Sequence, residues 1–86
     1  MFFRPQGIEK DTILIYQPDN GGPVKDKASN WPHRGGKSHL WEGGTRSYTI
    51  LVYPKKVKNP GRTWDRLFHI TDWLPSLYRA AGGKGR

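Results

Sequence analysis

Thr12-Ile13-Leu14-Ile15-Tyr16, then Gln17-Pro18, then Asp19-Asn20-Gly21-Gly22: the reading of the fold turns on these eleven residues. The first five form a short continuous run of apolar, β-favouring side chains, the pattern of a strand buried on both faces as in a parallel sheet. Gln17-Pro18 stops it. The next four residues put a carboxylate and an amide carbonyl at the carboxyl end of a strand, where open α/β sheets place their ligands. Both are hard oxygen donors of the kind calcium and magnesium take at roughly 2.0–2.6 Å, and the glycines let the backbone turn away without a Cβ clash. Asn-Gly is also the favoured two-residue hairpin turn, so these four residues alone leave both a turn and a cation site open.

From Asp19 to about Gly44 the chain is dominated by Gly, Pro, Asn, Ser and charge without a sustained period, which predicts a long irregular loop. Loops of that length are uncommon without a function. Tyr48-Thr49-Ile50-Leu51-Val52-Tyr53 predicts a second strand, closed by Pro54 because proline cannot donate to a sheet ladder. A helix follows Leu67-Phe68-His69-Ile70, with Thr71 as its expected cap, Asp72 at its positive end and Pro75 in or near its first turn. Leu74, Leu77, Tyr78 and Ala81 share one helical face, and Gly82-Gly83 supplies the left-handed residue that ends it. Two central-type strands and one helix read as part of an α/β layer fold without its neighbours.

The chain has 86 residues, few enough that a domain of this size buries only roughly 60–65% of its unfolded surface. There is no cysteine, hence neither a disulfide framework nor a thiolate metal site. Fifteen Lys and Arg against seven Asp and Glu give +8, enough to attract nucleic acid, heparin-like sugars or acidic membranes without choosing among them. The densest basic group, Lys55-Lys56-x-Lys58, lies among Pro54, Asn59, Pro60 and Gly61 and reads as a solvated loop. No run approaches the roughly 18 apolar residues of a membrane span. Met1-Phe2-Phe3-Arg4-Pro5 opens the chain without an apolar stretch of secretory length, so no signal peptide is expected in it.

Lys37 follows Trp31-Pro32-His33-Arg34-Gly35-Gly36, a glycine-rich approach that could present an ammonium group to an oxyanion, or simply a solvated lysine. Gly36-Lys37-Ser38 mimics the end of a phosphate-binding loop, but Trp31 stands where its first glycine is needed and no strand leads in. His33, His39 and His69 lack the spacing and companions of a zinc site, and His69, between Phe68 and Ile70, reads as a core or helix-start residue. Trp31, Trp41, Trp64 and Trp73 are too widely spaced for a nucleic-acid platform, and each can instead anchor a core.

The motifs run in a specific order: the β-run, Asp19-Asn20-Gly21-Gly22, Asn30-Trp31-Pro32, Arg34-Gly35-Gly36-Lys37, Leu40-Trp41-Glu42-Gly43-Gly44-x-Arg46 and His69-Ile70-x-Asp72-Trp73-Leu74-Pro75. That set resembles arylsulfatase B-type sulfatases of the alkaline phosphatase superfamily over about Ile8 to Gly83, with residues 1–7 unassigned. The resemblance implies a fragment of one catalytic domain, with a partial sulfatase-like α/β layer fold of two sheet strands, a long active-site loop and a C-terminal helix. It implies that Asp19 and Asn20 are two oxygen ligands of an active-site Ca2+, and that Lys37 holds a sulfate oxygen or steadies the leaving group. Arg34, Trp41, Glu42 and Arg46 fall on scaffold positions. Tyr16-Gln17-Pro18 departs from the small hydroxyl residues usual before the aspartate, and His33 from a usual apolar residue.

The same resemblance implies a sulfate ester substrate, as on aminosugars of glycosaminoglycans, and a lysosomal or secreted setting. Such enzymes attack with a formylglycine made within Cys/Ser-x-Pro-x-Arg, and none of the seven prolines has a Cys or Ser two residues before it. Two oxygen ligands also leave calcium short of its usual six to eight. The chain by itself is therefore expected to be inactive and to need the missing N-terminal half of the domain. The competing expectation is a non-enzymatic basic module that holds sulfated glycan or, with less support, nucleic acid.

Overall fold

The computed structural model of the chain describes residues 6–85. Among these residues one sheet forms from two strands, β1 (Leu14–Tyr16) and β2 (Ile50–Val52), paired antiparallel with Leu14 opposite Val52 and Tyr16 opposite Ile50. Both strands fall inside the apolar runs expected to form them, but each keeps only three residues. The parallel, doubly buried expectation is corrected. Among the described residues β1 pairs with β2 alone, and Tyr16, Ile50 and Leu51 are exposed while Leu14, Ile15 and Val52 are only half-buried. Continuous apolarity marked surface that wants cover, and it could not specify strand direction. The Tyr16 and Tyr48 rings extend the pairing at a centroid distance of 6.2 Å.

Because the two strands lie more than thirty residues apart, the turn at Asn20-Gly21 does not join a hairpin. The expected loop forms over residues 19–41, interrupted by a 3-10 turn at Val24–Asp26, and its last expected residues, 42–44, instead belong to a single helical turn, α1 (Glu42–Thr45).

The C-terminal helix, α2 (Trp73–Ala80), enters through a 3-10 turn at Ile70–Asp72. The continuous helical segment that the turn opens, residues 70–80, is capped by His69 rather than Thr71. His69 has the extended backbone of a capping residue, its Nδ1 accepts from the Thr71 amide at 3.3 Å, and its own amide donates to Asp72 Oδ2 at 2.8 Å. Thr71 lies inside the turn, where its amide is a donor in need of an acceptor. His69 is thus an exposed helix-start residue and not a core one. Termination follows the glycine pattern: Gly82 sits at φ +92°, its amide donates to Arg79 O at 3.0 Å, and the Gly83 amide donates to Tyr78 O at 2.9 Å.

Gln17 ties the helix to the sheet. Its Oε1 accepts from Trp73 Nε1 at 2.8 Å and from Thr49 Oγ1 at 3.0 Å. Phe68 packs edge-on to Trp73 at 4.7 Å and to Trp64 at 6.3 Å.

Among the described residues no apolar side chain is fully buried, so the four tryptophans do not anchor a core. Leu67 is 99% exposed, Leu40 97% and Trp31 87%, and on the expected apolar face of α2 Leu74 is 79% exposed and Leu77 much less so. The radius of gyration is 16.0 Å, against about 12 Å for a compact domain of this length. What is buried is backbone: Gly21, Gly36, Gly43 and Gly44 are the four buried residues of the described chain. No helix of the described residues is long and apolar enough to cross a membrane.

Candidate functional site

The glycine layer organises the loop that carries Asp19, Asn20 and Lys37. Gly21 donates its amide to Gly44 O at 3.0 Å, and Gly43 donates to Arg34 O at 2.8 Å. A Cβ on Gly21 would fall on Gly43 O, and one on Gly36 would fall on Gly22 O. Only chain without side chains can approach chain this closely, so the paired glycines at 21–22, 35–36 and 43–44 let three segments meet at one place.

Between the first two segments the chain reverses through Val24–Asp26, where Asp26 and Ala28 donate to Pro23 O and Lys27 takes a left-handed φ of 65°. The reversal lays Asn30 against both segments. Asn30 Oδ1 accepts from the Gly22 amide at 2.8 Å, while Nδ2 donates to Gly22 O at 2.9 Å and to Gly35 O at 3.0 Å. The Lys37 amide donates to Gly22 O at 3.1 Å, which sets the lysine main chain two residues from Asn20.

Asp19 is exposed, and its carboxylate has no hydrogen bond or ion pair among the described residues. Asn20 turns its Nδ2 onto Gly21 O at 2.8 Å, which commits the nitrogen to the protein and leaves Oδ1 as the free acceptor. A carboxylate and an amide oxygen are a donor set suited to a hard cation, although two ligands fill only part of the coordination shell of Ca2+. No three His, Cys, Asp or Glu side chains cluster as a metal site among the described residues. The Lys37 side chain is exposed and also lacks an ion-pair partner there, so its ammonium is free to meet an anion.

The neighbouring charges are already engaged with one another. Arg34 stacks its guanidinium 3.8 Å from the centre of the Trp41 ring, and Glu42 Oε2 lies 3.3 Å from His33 Nδ1 and 3.6 Å from Arg46 Nη1. His39 Nδ1 accepts from the Gly36 amide at 3.1 Å, which steadies the residue before Lys37. These contacts brace the loop, the part expected of Arg34, Trp41, Glu42 and Arg46. In the basic loop, Lys55 pairs with Asp11 at 2.9 Å while Lys56 and Lys58 face solvent.

The chain matches no family model and no solved structure. It is 44% identical over 78 residues to mouse arylsulfatase J, covering 91% of this chain. This stretch is sulfatase sequence. It is also 29% identical over 86 residues to mouse steryl-sulfatase and 32% identical over 81 residues to a sulfatase of Formosa agariphila. The chain spans only 13–14% of the length of these sulfatases.

Two parts of this sulfatase segment escaped the reading of its residues. Asn30 passed as one letter of a motif, although an asparagine eight residues beyond a Gly-Gly pair is well suited to bond peptide groups on both sides of a reversal. The closure of Gly43-Gly44 onto Gly21 had a visible signal in the three glycine pairs, but only the fold shows which pair meets which.

Proposed function

We propose that this chain is the calcium- and sulfate-binding segment of a sulfatase that hydrolyses sulfate esters. The observation that carries the reading is the bond from the Lys37 amide to Gly22 O at 3.1 Å, which links the lysine to the loop of Asp19 and Asn20. The identity to arylsulfatase J supports it from the sequence side.

In this reading Asp19 and the free Oδ1 of Asn20 are two of the oxygens that would hold Ca2+, which supplies positive charge against the sulfate when bound. Cleavage of the S–O bond gathers negative charge on the departing oxygen. Lys37 stabilises that charge through its ammonium, held on a loop already fixed by backbone bonds and therefore needing little reorganisation. The nucleophile and the remaining calcium ligands come from sequence outside these residues, in the N-terminal half of the catalytic domain, so the chain alone does not turn over. The exposed leucines and tryptophans are surface for that half to cover.

The substrate class proposed is a sulfated glycan, such as an aminosugar of a glycosaminoglycan, handled in a lysosomal or secreted setting. The net charge of +8 favours a polyanionic substrate by long-range attraction. Relatives differ in the substrates their names state, from steryl to ulvan sulfates.

The test is a chimera in which the matched segment of mouse arylsulfatase J is replaced by this one, assayed for aryl sulfate hydrolysis. Lys37→Ala should cost about 10²–10³-fold in kcat, as removal of a preorganised oxyanion donor does. Asp19→Ala should weaken calcium binding. An active chimera indifferent to both changes rejects the reading. If instead the isolated chain binds sulfated glycan, with an affinity that falls steeply with salt and ignores Asp19→Ala, the basic module is the better description.

A further inference from the structure

We propose that Asn30 is the positioning residue that sets the separation between the Asp19-Asn20 pair and Lys37, an inference that rests on the sulfatase reading of those three. The argument is one of position and valence. Asn30 bonds Gly22, with a single residue between it and Asn20, and Gly35, with a single residue between it and Lys37. It holds both backbone polar groups of Gly22, accepting from the N–H and donating to the C=O, so the peptide planes on either side of the Gly22 α-carbon are both fixed relative to the amide. Its second Nδ2 hydrogen reaches the other segment. Gly22 O then serves as a shared node, taking Asn30 Nδ2 at 2.9 Å and the Lys37 amide at 3.1 Å.

No other side chain fits this set. Aspartate has the same shape but would face two carbonyl oxygens with negative charge and no donor, while serine or threonine offers one donor for two acceptors. Glutamine adds a methylene where Gly36 already stands against the Asn30 amide, a Cβ on Gly36 coming within 2.8 Å of Nδ2. Asn30 touches neither candidate ligand nor Lys37's ammonium in any of these bonds. Its effect is on where they stand.

The experiment uses the 86-residue chain with a nitroxide attached at Lys37→Cys, a change that keeps the Lys37 amide. NMR then reads the broadening that the label imposes on the Asp19 and Asn20 amides. The expected result is strong broadening in the parent, lost in Asn30→Ala and in Asn30→Asp, while the β1–β2 and α2 signals stay in place. Broadening that survives both substitutions overturns the proposal. Should Asn30→Ala lose the strand pair as well, the unmodified chain decides: both Nδ2 hydrogens of Asn30 must exchange slowly with solvent, and fast exchange overturns the clamp. A chimera indifferent to Asp19→Ala and Lys37→Ala would remove the sulfatase reading while leaving these measurements intact, so the two failures are distinct.

Discussion

Replacing Gly21 with alanine should damage this molecule more than its single methyl group suggests. The new Cβ would fall on Gly43 O and lie 2.7 Å from Gly43 C and 3.0 Å from Gly44 Cα, all of them backbone atoms that cannot rotate away. Relief requires the 19–22 and 43–44 segments to separate, which breaks the Gly21 to Gly44 bond of 3.0 Å. A lost hydrogen bond costs about 1 kcal/mol, and overpacking costs about 1–3 kcal/mol more. Their sum, about 2–4 kcal/mol, compares with about 4–13 kcal/mol for the whole of a chain this long, taking about 0.05–0.15 kcal/mol per residue. With no buried apolar side chain among the described residues, the lower end applies. At a slope near 1 kcal/mol per molar urea, the unfolding midpoint, followed by tryptophan fluorescence, should fall by about 2–4 M. Gly61→Ala is the control: Gly61 has φ +79° with open space around it, so only local strain of about 1 kcal/mol applies. Equal midpoints for the two variants would refute the claim that backbone packing organises the loop.

Asp72→Ala should remove half of the capping box at His69 and cost about 0.5–2 kcal/mol, read as lost helicity by far-UV circular dichroism. A double-mutant cycle on Arg34 and Trp41 should return a coupling of about 0.5–1 kcal/mol, as expected of an exposed cation–π pair. The bond and charge of Lys55 hold the Asp11 carboxyl below the usual aspartate value and raise Lys55 in turn. A lowered carboxyl stabilises the fold above its ordinary value and loses that effect as pH falls through the lowered one, so the contribution fades only in acid. NMR titration should find the Asp11 midpoint moving back up in Lys55→Ala and, since the pair is exposed, in high salt.

The legible parts of the sequence were those governed by local chemistry. Leu14–Tyr16, Ile50–Val52 and the helix ending at Gly82 all lie where apolar pattern, proline and glycine put them. Strand direction was not legible, because the same β-favouring run serves a parallel or an antiparallel partner, and the partner of Tyr16 is thirty-four residues away at Ile50. The helix cap slipped by two residues because an inserted 3-10 turn moved the point at which amides lack acceptors from Thr71 to His69. At the candidate site, the family resemblance put forward Asp19, Asn20 and Lys37, but not the amide that joins their loops. Asn30 works through three backbone partners, and backbone partners leave no residue type to read.

A conventional interior can drift over evolutionary time, since a leucine lost on one side can be answered by a phenylalanine gained on the other. Gly21, Gly43 and Gly44 have nothing to exchange: no neighbour can shrink to make room, because the neighbours are backbone atoms, and at Gly36 the nearest, Gly22 O, is backbone too. Descendants of this segment should therefore keep these four glycines fixed, and the loop should behave as a part inherited whole.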